Sequence, residues 1–193
     1  MEYVIGIDIG TSSVKAILAG KDGHVYGEAS SSYPLINPQQ GYIEQNPDHW
    51  VMQTKESIKQ LISASQINPD KIESISFSGQ MHSLVVLDHN HNVLHNAILW
   101  NDTRTSKQCK FINEKLGERL WEITKNDALE GFTLPKILWL KDNQPDIFEK
   151  VFIFLMPKDY VRFQLTGELA TDYSDAAGTL LLDIEKKSGA PKF

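Results

Sequence analysis

Little in these 193 residues suits an oxidising or membrane environment. Cys109 is the single cysteine, so no internal disulfide can form, which fits a reducing cytosol. No apolar run approaches the length needed to cross a bilayer. The sequence passes from Glu2 straight into a strand pattern, with no basic, signal-like segment, so the expectation is a soluble cytoplasmic protein. Positive charge is also short: 19 Lys and Arg stand against 25 Asp and Glu, a formal net charge of −6. That leaves no basic surface for nucleic acid and no attraction to an anionic membrane. The Walker pattern is missing, which argues against a P-loop ATPase, and no GxGxxG opens a helix after the first strand. There is no Ser/His/Asp arrangement of recognisable spacing and no carboxylate pair on one helix of the kind that cleaves glycosides. Repeats and low-complexity tracts are absent.

What is present is an ordinary globular composition, 41% hydrophobic and 23% charged, in a chain long enough for one large domain or two small ones. The richest stretch runs from Ile5 to Leu18 and reads as strand, tight polar turn, strand. Tyr3, Ile5, Ile7 and Ile9 alternate onto one face and leave Val4, Gly6 and Asp8 on the other. Asp8 therefore stands as a carboxylate near the end of a strand expected to be buried, where a lone acid is costly unless it binds something. The turn Gly10-Thr11-Ser12-Ser13 adds main-chain N–H groups and three hydroxyls, the chemistry of a phosphate cradle. A carboxylate repels phosphate, so a Mg²⁺ ion with its waters is expected between them. A plain hairpin turn rich in Gly and Ser has the same pattern and no ligand.

Further along, Gly20 to Gly23 marks a hairpin turn and predicts a three-stranded antiparallel meander. Asn46 and Pro47 form a helix start, with Trp50, Val51, Thr54, Ile58, Leu61 and Ile62 on its inner face. Ile72 to Ser78 reads as a strand, Ser83 to Leu94 as a hairpin, and Ala97 to Trp100 as another apolar run. Helices are expected over residues 104–116, 118–124, 134–142 and 158–166, with a strand at 151–156 and an undocked tail from Lys186. An antiparallel meander followed by helices and more strands predicts an α/β or α+β layered domain.

Two strand ends carry candidate ligand groups. Gly79-Gln80-Met81-His82 joins an amide, a soft apolar wall and an imidazole, though a satisfied structural histidine reads the same way. Trp100-Asn101-Asp102-Thr103-Arg104 joins an aromatic plate to an amide, a carboxylate and a guanidinium, a mixture that binds polyols; alternatively Asp102 or Thr103 caps the next helix. His89, His91 and His95 lie by a polar turn without a cysteine partner, which disfavours zinc. Cys109 reads as a buried inert thiol, and Phe132, Trp121 and Trp139 as core.

Taken together, these residues resemble a known family. Gly6 to Lys15 is similar to the first phosphate motif of the FGGY carbohydrate kinases, within the actin/hexokinase superfamily. Ser78 to His82, Ile98 to Arg104, Gly131 to Lys136, Pro157 to Tyr160 and Thr171 to Thr179 continue the resemblance in order, in particular to xylulose-phosphorylating members. The resemblance implies a ribonuclease-H-like α/β domain with a mixed sheet and helices on both faces, spanning residues 1–187 with a tail at 188–193. It implies ATP and Mg²⁺ as cofactors, with Asp8 organising the metal and Gly10, Thr11, Ser12 and Ser13 approaching the γ-phosphate. It implies a sugar held by Met81 and His82, with Gln80, Trp100, Asn101 and Asp102 nearby. Met-His stands where glycerol-phosphorylating members carry Arg-Glu, which favours a ketopentose such as D-xylulose. Neither nucleic acid nor membrane is implied as a partner; a homodimer is compatible, and a C-terminal domain carrying an Asp base is the natural packing partner. Another FGGY sugar kinase, a catalytically inactive sugar- or phosphate-binding domain and an actin-like assembly protein are the alternatives. Thr124-Lys125-Asn126 replaces a turn that contains glycine in the family.

Overall fold

The computed structural model describes residues 2–190. In chain order the elements are β1 (Tyr3–Ile9), β2 (Ser13–Gly20), β3 (Val25–Ser32), β4 (Glu44–Gln45), α1 (Pro47–Ser65), β5 (Ile72–Gly79), β6 (Val85–Leu87) and β7 (Ala97–Ile98). There follow α2 (Ser106–Leu116), α3 (Glu118–Thr124), α4 (Thr133–Asn143), α5 (Pro145–Phe148), β8 (Ile153–Leu155), α6 (Pro157–Thr166), α7 (Tyr173–Ala177), β9 (Leu182–Asp183) and β10 (Ser188–Gly189). They gather into two compact units. The first holds the chain up to Leu35 with Asn46–Gln80 and Pro157–Glu168; the second holds Ile36–Gln45, Met81–Met156 and the chain from Leu169. Among the described residues no helix is long and apolar enough to cross a membrane.

The first unit is built on a mixed four-stranded sheet in the order β3-β2-β1-β5. The meander is there: β1 pairs antiparallel with β2, and β2 with β3, through the turn at Gly23, whose φ of 79° suits glycine. Strand β5 returns parallel to β1 and sets Asp8 beside Ser78 and Ile9 beside Gly79. Ile5, Ile7, Ile9, Val14, Ala16 and Leu18 fill one face and are buried. That alternation is the period of two expected from the sequence. Helix α1 covers this face with Trp50, Val51, Thr54, Ser57 and Leu61; Ile58 and Ile62 are half-buried. Asn46 caps it by accepting from the Asp48 N–H at 2.9 Å. Helix α6 packs beside α1 on the same side. Helices were expected on both faces; the described residues place α1 and α6 against one, and Val4 and Ile17 on the other are exposed. Asp8 lies on that open face and is itself exposed, so the burial expected for it is corrected.

The second unit has two small apolar clusters. Leu84, Val86, Ile98, Trp139 and Leu140 form one; Cys109, Ile112, Leu120, Ala128 and Leu180 form the other. Strand β6 pairs chiefly with β8, and the hairpin expected at 83–94 is reduced to a single bridge between Leu87 and Val93. Strand β7 pairs antiparallel with β4. Trp139 is buried as expected, Phe132 is half-buried, and Trp121 is 54% exposed and not core. Burial pushes the Cys109 thiol up, in keeping with an inert role. The stretch expected to be an undocked tail is partly ordered, because β10 pairs with β9 and the Ala190 N–H donates to Leu181 O. The remainder of that tail, 191–193, lies outside the described residues.

Lys125 closes α3 with φ at 57°, in the left-handed region that glycine occupies freely. Its partner Glu185, 2.8 Å away, is largely solvent-exposed and contributes little. Lys125→Gly is therefore expected to be neutral or to stabilise the chain by up to about 1 kcal/mol, read as a higher urea midpoint at unchanged m-value.

Candidate functional site

In the first unit the candidate phosphate-binding residues gather at the end of β1. Gly10 N–H donates to Ser13 O at 3.0 Å and closes the 10–13 turn. A Cβ at Gly10 would stand 3.1 Å from that same oxygen, so a side chain fits there only with adjustment. The turn's own carbonyls are drawn into the protein. Gly10 O accepts from the Tyr33 hydroxyl and from Gln80 Nε2, and Ser12 O accepts from the Tyr33 N–H. Burial first, then the nearby Asp8 charge, pushes the Tyr33 phenol well up, which keeps it a donor. The oxygens that would repel a phosphate are thus occupied. Gln80 N–H also donates to Ile9 O at 2.8 Å, so Gln80 braces the turn from below.

Asp8 accepts from Ser78 Oγ at 2.9 Å through one oxygen. It borders a cavity of about 350 Å³ lined by Gly6, Ile7, Lys15, Ile17, Ser76, Phe77 and Ser78. Among the described residues no group of three or more His, Cys, Asp or Glu could cage a metal. A single exposed carboxylate next to such a turn suits Mg²⁺, which retains most of its waters and takes few protein ligands.

The second unit organises its chemistry around His82. Its Nδ1 lies 2.8 Å from Gly178 O. A carbonyl only accepts, so Nδ1 carries a proton and Nε2 is the nitrogen left open, an acceptor in that tautomer. A Cβ at Gly178 would overlap the ring at Cε1 and Nδ1. Phe132 meets the ring edge to face, with centroids 4.9 Å apart. His82 O accepts from Thr133 Oγ1 at 3.0 Å and Lys136 Nζ at 3.4 Å. Three of the stretches singled out in the sequence therefore meet at one residue. A fourth joins through Ser83, whose Oγ accepts from the Trp100 N–H at 3.1 Å. Trp100 is 45% exposed, and Asn101 Oδ1 is buried without a protein partner. Met81 is half-buried.

Asp102 has a different place. It is 1% exposed, and both its oxygens are taken by Arg104 Nε and Nη2 and by the N–H groups of Ile43 and Arg104. Arg104 also reaches Glu44 Oε1 at 2.8 Å, and its guanidinium lies 3.8 Å from the Tyr42 ring centre. The direct sugar contact expected of Asp102 has no spare acceptor here, because the guanidinium consumes it. Glu44 and Lys136 were not legible as parts of this region. Nothing local in the sequence marks Glu44 as a partner of Arg104, and a lysine on a helix reads as solvent-facing.

Lys136 is fully buried, and burial pulls its ammonium down to about 7, against the opposing pull of Asp102 and Cys109 and with a further push from Arg104. Cys109 and Arg104 aside, the charged group nearest in effect is Asp102, already paired.

A family model described as "FGGY family of carbohydrate kinases, N-terminal domain" matches residues 3–190. The chain is 58% identical over 187 residues to a xylulose kinase of Bacillus subtilis, covering 97% of this chain and 38% of that protein. Among solved structures it superposes on a xylulose kinase from Brucella ovis with a TM-score of 0.92 at 36% identity, covering 98% of this chain and 39% of that one. A ligand-bound xylulose kinase from Lactobacillus acidophilus matches with a TM-score of 0.91 at 30% identity, covering 98% and 38%. The chain thus spans well under half the length of the relatives it matches.

Two outcomes follow from the buried charges. Arg104→Leu leaves Asp102 and Glu44 uncompensated and is expected to cost about 3–5 kcal/mol of stability, measured by urea unfolding. For Lys136 the unfolded value is 10.5 and the folded one about 7, so folding releases a proton between them and stability from this residue rises as pH climbs from about 7 towards 10.5. Subtracting the pH–stability profile of Lys136→Met from that of the wild-type chain should isolate this rise.

Proposed function

Because the chain belongs to the FGGY family of carbohydrate kinases, as its N-terminal domain, we propose that it supplies the phosphate- and sugar-binding residues of an enzyme converting D-xylulose and ATP to D-xylulose 5-phosphate and ADP. The observation that carries this reading is His82, held through Nδ1 by Gly178 O, in a unit that also carries an exposed Trp100 and an unpartnered Asn101 Oδ1. That set offers two acceptors and an apolar plate, which suits a polyhydroxylated carbon chain. The high identity to proteins named xylulose kinase supports the same substrate.

In this reading the 10–13 turn receives the γ-phosphate: Thr11, Ser12 and Ser13 supply its donors, and Gly10, whose N–H is held by Ser13 O, shapes the turn. Asp8 would hold Mg²⁺, which when bound would supply neutralisation of the charge on the phosphates. A sugar hydroxyl oxygen forms the new bond to phosphorus while the bond to the β–γ bridging oxygen breaks, and ADP leaves. The hydroxyl proton passes to a carboxylate base placed outside these residues, in keeping with the 38% of the relative that the chain spans. His82, Asn101 and Trp100 hold the sugar, Met81 adds an apolar wall, Gln80 braces the phosphate turn, and Asp102 acts through Arg104 as scaffold. The proposed compartment is the cytoplasm.

Calorimetric titration of the chain with D-xylulose and with glycerol tests the reading. D-Xylulose should bind in preference to glycerol; His82→Ala should weaken it about ten-fold or more, and Asp8→Ala should leave it unchanged. Preference for glycerol, or equal losses in both variants, would overturn the assignment of roles. In a coupled ADP-release assay the chain should fall far short of the roughly 1–100 per second of ordinary kinases. Turnover in that range would place the base within these residues.

A further inference from the structure

The backbone of His82 has φ at 65°, a conformation that a residue with a side chain adopts only when its surroundings impose it. Two donors grip its carbonyl, Thr133 Oγ1 at 3.0 Å and Lys136 Nζ at 3.4 Å. The same ammonium donates to Glu130 O at 3.1 Å, to Phe132 O at 3.0 Å and to Gly131 O. Lys136 is 0% exposed. One buried cation therefore ties the His82 main chain to the 130–132 loop, and that loop carries Phe132, the ring standing edge-on to the imidazole. Gly131 brings the same loop close to Trp100, since a Cβ there would lie 3.3 Å from Trp100 O.

Burying an ammonium is expensive, and methionine would fill similar volume without that cost. An ammonium presents three donors from one point, which these four converging carbonyls share, and an apolar side chain offers none. A purely space-filling role does not need that chemistry, and neither does ion pairing, because Asp102 is already held by Arg104.

We propose that Lys136, assisted by Thr133, is a positioning residue for sugar recognition: it fixes the His82 backbone and the Phe132 loop so that His82 Nε2 is presented to a sugar hydroxyl. The value of this arrangement to the enzyme rests on the sugar-binding role proposed above for His82. The positioning itself does not, and it can be read without sugar.

The test uses the ¹⁵N-labelled chain at about pH 6, below the Lys136 value of about 7, so that the ammonium is protonated. Imidazole nitrogen signals are assigned with His82→Gln, and D-xylulose affinity is measured in parallel. In the wild-type chain the neutral fraction of His82 should show the Nδ1–H tautomer alone. Lys136→Met is expected to remain folded by circular dichroism, to mix the two tautomers, and to bind D-xylulose about ten-fold more weakly. Thr133→Val should move both readouts the same way by about three-fold, and it decides the matter if Lys136→Met does not fold. A wild-type His82 signature in folded Lys136→Met, or in Thr133→Val where the methionine variant is unfolded, overturns the proposal. If wild-type chain binds no D-xylulose, the sugar reading fails, and the imidazole signals alone still decide the positioning.

Discussion

A guanidinium removed from water between two carboxylates is the constraint on which the second unit depends. Arg104 has a side chain 1% exposed, bonded to Asp102 and Glu44 and flanked by the rings of Tyr42 and Trp139. The partners come from three stretches of chain: Tyr42 and Glu44 from the segment that runs into and begins β4, Asp102 from the turn after β7, and Trp139 from α4. Such a cluster is weak evidence for stability by itself, since desolvation offsets most of the attraction. Its effect is on arrangement. The ends of all three stretches are satisfied in one registration, and the short β4–β7 pairing follows from it. Asn96 Nδ2 adds a bond to Glu44 Oε2 at 3.2 Å and closes the network.

The parts of the fold that could be read from the sequence are those governed by local period or by capping. The alternation of Ile5, Ile7 and Ile9 gave β1 its buried face, and Asn46-Pro47 marked the start of α1 within the observed bounds. The parts that escaped reading depend on distant partners. Strands β4 and β7 are two residues long, too short for any period, and exist because residues far apart in sequence pair. Asp8 was expected to be buried because its neighbours are; one face of the sheet being open decides otherwise.

Site residues divide in the same way. Met81-His82 and the Gly10 turn were singled out from residue type and motif order, yet nothing in the residues told which nitrogen of His82 would face Gly178 O. That follows from Gly178 O, reached only once the chain folds. Asp102 looked like a ligand because its type suits one, and only the guanidinium beside it shows that its oxygens are consumed. Lys136 was hidden by the opposite bias: on an amphipathic helix a lysine signals water, and here it faces carbonyls.

The glycine at 178 has an unremarkable φ of −72°, so backbone freedom does not require it. Space does, because the His82 ring occupies the volume of its missing side chain. A methyl group there would evict the imidazole while leaving every atom of His82 chemically intact. In the proposed reading, sugar choice is therefore open to change through a residue with no side chain to contribute, a route that a survey restricted to ligand-contacting positions would overlook.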